Sequence, residues 1–541
     1  MRKLIRIGLL LMATALFAAC TNDIVPQKGE TKKSATTYVA TFTGSQPKTT
    51  GEAKTRTTAT HTRGGAAQVY WEATDRIWVK ADDGTFQQSE PAQYQPYTPV
   101  NKSLANFALT TGSYTKPSTE VRYTNTSDAN TVVIASAQAQ SSPNNFSHLG
   151  TAGDCGTATS EGKDGNYKFT LQHKASYLCF VPRCMNTQLG PNTKLTKIVV
   201  TADKPIAGTY DFSDGSLMGK TPAGGSNTIT LTLTGGNAFS MNTTTENIDV
   251  NGAYIVIAPG TYNLTITYTL QDNYYWWTTG DITKTLNGFT CPEGQIRDIT
   301  ANLTPPPLPP APQYYMWDAK FDYWHDHLNP DGTPDGNWPQ NNSDPRWYNE
   351  SFPGIGFRND AQTELFKTLP NVNELCWYVM KGDIHKDRQG GGVYVANGHL
   401  QVIGGIWLRK KSAILAYLKA NEGYPASFSE ADLKAGYRTS ATAAPTDYRV
   451  MGFSVGQFYI TTPNITIGRP SNTANYFFLR ATGIYYNGSL TNPEEQGFYW
   501  ASNSYPMANG HYNAYCLNFS NEGCSVSFNF RSFGAQARPF E

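Results

Sequence analysis

The sequence predicts a mainly β protein, with an antiparallel β-sandwich region in its N-terminal half and a smaller α+β domain in its C-terminal half. Three observations support this fold class. Aromatic residues make up 13% of the chain and charged residues only 16%, with 48 glycines and 32 prolines, a balance typical of strands and turns. Short runs that alternate apolar and polar residues fill the region before residue 304. Helical periodicity is confined to the region after residue 360.

The chain begins with the pattern of an export signal. Basic residues in the first six positions precede an apolar run over residues 7–19, which is too short to span a bilayer as a helix. The run ends in Leu16-Phe17-Ala18-Ala19-Cys20, which resembles a bacterial lipobox. That resemblance implies that residues 1–19 are a signal peptide and that the Cys20 thiol carries a diacylglycerol. The polar residues 20–36 are then expected to be a tether.

Alternating runs predict the strands of the N-terminal half. Glycine, proline and asparagine separate the runs, as expected for antiparallel sandwiches with tight turns. We predict one or two sandwich lobes over residues 37–303, with strands that include residues 37–43, 76–80, 131–135, 197–201, 227–233, 254–258, 262–268 and 299–303.

A proline-rich stretch marks the boundary between the two halves. Residues 304–312 read TPPPLPPAP, which favours polyproline II and cannot join the interior of a sheet. We therefore predict a linker over residues 304–313 and a second domain over residues 314–541, each half folding on its own.

The second domain is predicted to place its helices first and to end in a β-hairpin. Apolar residues at helical spacing predict helices over residues 360–369 and 410–420. Ser427 and Glu430 form a capping-box pattern for a short helix that Gly436 ends. Strands are predicted around residues 392–395, 476–479 and 497–500 and in a hairpin over residues 515–530.

The hairpin register predicts that Cys516 and Cys524 do not form a disulfide. Seven cysteines remain besides Cys20, so they cannot all pair within one chain. Placing Tyr515, Leu517 and Phe519 on the core face together with Cys524, Val526 and Phe528 leaves Cys516 on the opposite face from Cys524.

The polar and aromatic clusters have ordinary structural interpretations as well as functional ones. His325 and His327, followed by Asp331 and Asp335, are typical of a solvated turn, with a metal site as the alternative. Residues 492–494 read Asn-Pro-Glu, the reverse of a calcium-lectin sugar motif, and are interpreted as a turn. Five aromatic residues are interpreted as core and hairpin packing, with a platform for sugar or peptide as the alternative: Tyr485, Tyr486, Tyr499, Trp500 and Tyr505.

No catalytic motif and no cofactor-binding or metal-ligand spacing stands out along the chain. We therefore expect no enzyme activity, no catalytic residue, no cofactor and no metal. The near-neutral formal charge of +1 without a basic stripe argues against a nucleic-acid partner.

The N-terminal half resembles the Bacteroidetes fimbrillin superfamily, the pilins of lipoprotein-derived fimbriae. The resemblance spans roughly residues 20 to 303 and rests on Cys20 and on the segments TTYVATFTG, TRTTATHTRGG, VYWEATDRIWV, YIVIAPGTYNLTITYTL and GQIRDITANL. The C-terminal half resembles C-type-lectin-like domains through LPNVNELCWYVMKGD, YFFLRATGIYYNG, GFYWASNSYP, AYCLNFSNEGCSVSFNF and GAQARPF. The calcium-dependent sugar motif is missing, so sugar binding is not implied.

The resemblance to fimbrillins implies how the chain would be processed and assembled. An Arg-specific protease would cut at Arg56 or Arg63 and free the first strand, and a donor strand from the next subunit would replace it. The precursor would be held at the outer membrane by its lipid, and the mature protein would lie at the cell surface in the fimbrium. No spare strand is visible after Phe540, so the resemblance implies a tip subunit with an adhesive head that serves cell adhesion or biofilm formation.

Two other functions are compatible with the same sequence. The first is a surface lipoprotein that never polymerises and binds glycan or peptide; it would keep its acylated Cys20. The second is an enzyme, because lectin-like folds also host oxidative catalysts, although the reactive cysteine pair or metal arrangement that such chemistry needs is not found in the sequence. The ligand on the host or bacterial surface is not specified by any motif.

Overall fold

The computed structural model describes residues 38–46, 58–64, 67–94, 102–273, 278–453, 460–508 and 511–541. The described part of the chain is mainly β, as predicted, and its helices are few and short. Cys20, Arg56 and the proposed signal peptide and tether lie outside it. No helix in the described ranges is long and apolar enough to cross a membrane.

The N-terminal half consists of strands and single helical turns. The three α-helices there are four residues long, α1 (Leu149–Ala152), α2 (Leu189–Asn192) and α3 (Ile248–Asn251). The strands in chain order are β1 (Ala40–Ser45), β2 (Thr58–His61), β3 (Ala67–Tyr70), β4 (Trp78–Lys80), β5 (Phe86–Gln88), β6 (Leu104–Leu109), β7 (Ser118–Tyr123), β8 (Thr131–Ile134), β9 (Ala137–Gln140), β10 (Gly156–Lys163), β11 (Asn166–Thr170), β12 (Gln172–His173), β13 (Ser176–Arg183), β14 (Thr193–Ala202), β15 (Ala207–Asp211), β16 (Ala223–Ser226), β17 (Thr228–Leu233), β18 (Phe239–Ser240), β19 (Ala253–Ile257), β20 (Gly260–Asp272), β21 (Thr279–Cys291) and β22 (Ile296–Asn302).

These strands form two lobes with separate cores. The first lobe is an eight-stranded sheet in the order β5-β4-β7-β10-β11-β1-β6, with β12 beside β10. Its core comes from this sheet and its connecting loops, and it includes Trp71, Phe107 and Phe169. The second lobe stacks the sheets β21-β20-β14-β17-β9, β19-β13-β22 and β16-β15-β8 around a larger core. The N-terminal half therefore has two lobes, in agreement with the prediction of one or two.

Not every strand pair of these lobes is antiparallel. The pairs β1–β11, β9–β17 and β13–β22 are parallel. The partners in each pair are far apart in sequence, which leaves enough chain for the crossover that a parallel pair requires. Period-two patterning along one strand carries no information about the direction of its neighbour, so the sequence could not reveal these pairs.

The C-terminal half is α+β and packs two sheets around a buried helix. Its elements are β23 (Tyr314–Tyr315), α4 (Glu364–Lys367), α5 (Val372–Lys381), β24 (His385–Asp387), β25 (Val393–Ala396), β26 (His399–Val402), β27 (Gly405–Arg409), α6 (Lys411–Asn421), α7 (Glu430–Ala435), α8 (Tyr448–Met451), β28 (Ile460–Thr462), β29 (Thr466–Ile467), β30 (Tyr476–Arg480), β31 (Ile484–Tyr486), β32 (Ser489–Thr491), β33 (Gly497–Ser504), β34 (Asn513–Phe519), β35 (Cys524–Phe530) and β36 (Ala535–Gln536). The larger sheet has the order β23-β36-β33-β34-β35-β28 and the smaller one the order β29-β24-β27-β30.

The last residues of the chain are part of this domain's core. Strand β36 pairs with β23 and β33, and Phe540 packs against Tyr378 and Tyr499. The Glu541 carboxylate accepts hydrogen bonds from the Tyr378 hydroxyl at 2.5 Å and from the Lys411 amide at 2.6 Å. Residues 535–541 are thus occupied in packing within their own domain.

The two halves contact each other through the hairpin of β25 and β26. Leu400 is fully buried and belongs to the core of the second N-terminal lobe, and its amide donates to Asp272 at 2.8 Å. The proline stretch runs beside β25, since the Leu308 amide donates to the carbonyl of Val395 at 3.0 Å. The hairpin of β25 and β26 therefore joins the packing of the two halves, and the independent folding of each half stays a prediction.

Candidate strand-exchange groove

Strand β1 is an inner strand of the first lobe, between β6 and β11. It pairs antiparallel with β6 and parallel with β11, so Phe42 lies opposite Phe107 on one side and Tyr167 on the other. The strand begins at Ala40 rather than at the predicted residue 37, and Tyr38 is exposed. Within the described strands, β1 is the only strand that pairs with β6, whose other edge forms backbone hydrogen bonds with Glu90 and Gln93 through Ala108 and Asn106.

Phe42 anchors β1 in the core of the first lobe. Its side chain is fully buried, and its ring stacks on Tyr167 with centroids 4.7 Å apart and meets Tyr114 edge-on at 5.5 Å. Burying a phenylalanine side chain contributes roughly 2–3 kcal/mol from area alone. Removal of β1 therefore uncovers an aromatic pocket as well as two rows of backbone groups.

Gly44 lies where two aromatic rings close the groove. A Cβ atom added there would lie 2.5 Å from the ring of Phe169 and 3.1 Å from that of Phe107. The Trp71 indole donates to the Gly44 carbonyl at 3.0 Å, which holds the backbone against these rings. A strand in this groove is thus required to place a large aromatic side chain at one inward position and no side chain two residues later.

The outward face of β1 is polar and solvated. Thr41, Thr43 and Ser45 point away from the core, and Thr43 Oγ1 donates to Asn106 at 2.9 Å. An open cleft of about 930 Å³ lies over this face, lined mainly by hydroxyl and charged side chains. The groove therefore selects a strand with one apolar and one polar face.

Gln46 ties the end of β1 to a buried polar network. Its Oε1 atom lies 3.3 Å from Nε2 of His173, whose Nδ1 lies 3.0 Å from the Asp154 carboxylate. His173 and Asp154 are buried where the first lobe meets the second, and the Tyr177 hydroxyl donates to the same carboxylate. Removal of β1 therefore takes the Gln46 partner away from His173 and leaves the His173–Asp154 contact between the lobes in place.

Of the two predicted processing residues, the structure describes Arg63. It lies in the turn between β2 and β3, with half of its side chain exposed and its guanidinium 3.1 Å from Glu246. Glu246 also binds Arg183 at 2.6 Å. The lipidation of Cys20 and the cleavage at Arg56 or Arg63 remain predictions.

The sequence offered a partial view of this groove. The first strand was correctly placed just before the processing segment, residues 56–63. Phe107, Tyr167 and Phe169 were not recognised as walls of the groove. Their alternation within β6 and β11 was a usable signal, because it places them on one face. The inward position of Gly44 had no such signal, since it depends on ring contacts between three strands.

The polar and aromatic clusters predicted in the C-terminal half lie in turns and in or beside packed strands. Asp335 accepts from the Asn337 amide and from His327, and these hydrogen bonds lower the pKa of its carboxyl to about 2. Asp331 caps the amide of Thr333 in the same turn. Residues 492–494 lie in the turn after β32. Of the five aromatic residues proposed as packing or platform, Tyr486 is exposed, whereas Tyr499, Trp500 and Tyr505 are buried and Tyr485 is intermediate.

Comparison with known proteins gives weak similarity to solved structures. No protein-family model matches the sequence, and no curated protein does. A candidate cell adhesion protein from Bacteroides ovatus is 12% identical and matches 50% of this chain and 93% of its own, with a TM-score of 0.30. One from Bacteroides fragilis is 9% identical over 49% and 93% of the chains, with a TM-score of 0.29. A fimbrial protein from Bacteroides ovatus is 10% identical over 90% and 98% of the chains, with a TM-score of 0.21.

Proposed function

We propose that this chain is a subunit of a cell-surface fimbrium that accepts a donor strand from a neighbouring subunit and presents residues 314–541 as a head for cell adhesion or biofilm formation. The observation that carries the proposal is the position of β1, an inner strand with a single aromatic anchor that precedes Arg56 and Arg63 in the chain. The precursor would reach the outer membrane by lipidation of Cys20.

The connectivity of the first lobe supports this role. Every other described strand of its sheet follows Arg63 in the chain. A cut at Arg56 or Arg63 therefore breaks the covalent link between β1 and the other described strands of the sheet, so that β1 can leave without them. What remains is a lobe with one strand missing between β6 and β11, a state that is costly unless another strand replaces the first.

The packing of the last residues supports a terminal position in the filament. Donation of residues 535–541 to a neighbour would pull Phe540 out of the domain core and break the hydrogen bonds to Glu541. Residues 535–541 are therefore not available as a donor strand while this domain is folded, as a tip position requires. The alternative of a non-polymerising lipoprotein predicts that the mature chain keeps Cys20.

The proposal is tested by strand capture after cleavage. Protein cut by an Arg-specific protease is mixed with a synthetic strand that repeats the inward pattern of β1, Ala-x-Phe-x-Gly. The expected result is a complex that resists mild denaturation, because the peptide refills the pocket of Phe42 and pairs with both neighbours. A peptide with serine in place of phenylalanine is the matched control and is expected to bind far more weakly. Cleaved protein that captures neither peptide would overturn the proposal.

A further inference from the structure

One polar cluster in the second lobe is formed by residues far apart in the sequence. Cys179 on β13 pairs with Tyr254 on β19 and with Asp298 on β22, so the three side chains lie in one row across the sheet. His61, the last residue of β2, covers this row. Its Nε2 atom lies 2.7 Å from Asp298 Oδ1, and its ring centroid is 6.2 Å from that of Tyr254.

The cluster is compact and largely shielded from solvent. The candidate ligand atoms of His61, Cys179 and Asp298 all lie within 4.8 Å of one another. Cys179 is fully buried, and His61 is 4% exposed. The Nδ1 atom of His61 is buried without a hydrogen-bond partner among the described residues. Burial of an imidazole in this way is unfavourable unless its nitrogen atoms form hydrogen bonds or coordinate a metal ion.

The arrangement does not suit nucleophilic catalysis. A catalytic cysteine needs a histidine nitrogen hydrogen-bonded to its thiol, whereas here Nε2 of His61 bonds to Asp298 and its Nδ1 has no hydrogen-bond partner among the described residues. Burial raises the pKa of the Cys179 thiol well above its usual range, so the free thiol stays protonated. Burial alone would also raise the pKa of Asp298, but hydrogen bonds from His61 and from the Gly64 amide lower it below its usual value.

We infer that His61, Cys179 and Asp298 form a zinc site. Sulfur, imidazole nitrogen and carboxylate oxygen are the three ligand types that Zn²⁺ takes in proteins, whereas Ca²⁺ and Mg²⁺ require oxygen ligands throughout. Binding converts the Cys179 thiol to a thiolate and releases one proton to solvent, and water completes a tetrahedral site. These ligands form no motif along the sequence, because β-sheet pairing and the β2 segment assemble them from three distant parts of the chain.

The site fastens the processing segment to the second lobe. His61 lies between Arg56 and Arg63, whereas Cys179 and Asp298 belong to the lobe itself. A cut at Arg56 leaves all three ligands on one chain, and a cut at Arg63 separates His61 from the other two. Zinc would therefore stay with a chain cut at Arg56 and be lost from one cut at Arg63. This inference does not depend on the proposed function.

Metal content and cobalt spectroscopy of the purified full chain test the site. Protein stripped with EDTA is dialysed against Zn²⁺ and against Co²⁺, which reports thiolate coordination by its charge-transfer absorption. We expect about one metal ion per chain for the wild type. Cys291→Ser is the matched control, because Cys291 is a buried free cysteine of the same lobe outside the cluster. It is expected to bind like the wild type.

Two variants are expected to lose the metal and the cobalt–thiolate absorption. Cys179→Ser removes the sulfur ligand from the lobe core. His61→Ala changes only the segment that covers the lobe, so this variant is expected to keep the lobe folded. Circular dichroism verifies that each variant is folded. The inference is overturned if the wild type takes up no metal after loading, or if folded His61→Ala keeps the absorption of the wild type.

Discussion

At the scale of single residues, Gly44 determines which strands fit the first lobe. Its neighbours on β1 alternate between the core and solvent, and Gly44 occupies an inward position that Phe107 and Phe169 would otherwise close. Glycine is required here because the groove has no space for a side chain: an added Cβ would lie closer to the Phe169 ring than van der Waals contact allows.

Gly44→Val should destabilise the first lobe by roughly 1–3 kcal/mol, the usual effect of overpacking a filled core. Thr41→Val is the matched control, because it introduces the same side chain on the outward face of the same strand. Urea unfolding followed by tryptophan fluorescence measures both. Equal stability of the two variants would contradict the packing described for Gly44.

Cys516 and Cys524 show that the pairing register of the final hairpin can be inferred from its sequence. The predicted register is confirmed, with Leu517 opposite Val526 and Phe519 opposite Cys524. The two cysteines belong to different hydrophobic clusters and are both free thiols. The prediction succeeded because an alternating hairpin has a single register that buries both apolar faces.

At the scale of elements, the hairpin of β25 and β26 joins the two halves of the molecule. Leu400 fills the core of the second lobe from outside it, and Val393 packs against the same core. His399 lies 3.3 Å from the buried Asp272, which also accepts the Leu400 amide. The hairpin therefore belongs to the C-terminal half by sequence and to the N-terminal half by packing.

Leu400→Ala should cost about 2–5 kcal/mol, the range for a fully buried leucine. Because the lost contacts connect the halves, calorimetry should show the second lobe and the C-terminal domain unfolding at temperatures further apart than in the wild type. Leu490→Ala, at a leucine 39% exposed in the C-terminal half, should change little. A Leu400→Ala profile that matches that of Leu490→Ala would show that the hairpin does not couple the two halves.

Helices in the C-terminal half were predicted only where their apolar residues repeat. Helix α6 was predicted to within one residue, whereas the helix expected over residues 360–369 is the single turn α4. The predicted Ser427–Glu430 cap is wrong, because the capping box of α7 pairs Ser429 with Asp432, an equally suitable pattern two residues later. Helix α5 was missed, although Asn371 and Glu374 form the capping box at its start, a pattern that was visible in the sequence.

The same reasoning limits what could be predicted of the groove. The strand itself, its place before Arg56 and Arg63, and its alternation were visible in the sequence. Its neighbours were not, because β6 and β11 lie about sixty and over a hundred residues away and one of the two pairings is parallel. Pairing across such distances depends on the complete sheet rather than on any local pattern.

At the scale of the whole molecule, three units are linked in series, and each contacts the next. The first lobe carries the replaceable strand and is joined to the second through the network of His173 and Asp154. The second lobe carries the docked processing segment and the hairpin of the C-terminal half. The lobe that contains the replaceable strand is therefore connected, through contacts with the second lobe, to the proposed head.

Amide hydrogen exchange on β6 tests the strand-exchange account most directly. Protection of the β6 amides other than that of Asn106, which donates to Gln93, is compared in intact protein, in cleaved protein freed of β1, and in cleaved protein after the Ala-x-Phe-x-Gly strand is added. Since β1 is the sheet partner of β6 among the described strands, we expect high protection in the intact protein. Protection should be lost in the cleaved protein freed of β1 and should recover after the strand is added. Protection that persists without β1, or that the added strand fails to restore, would contradict the account.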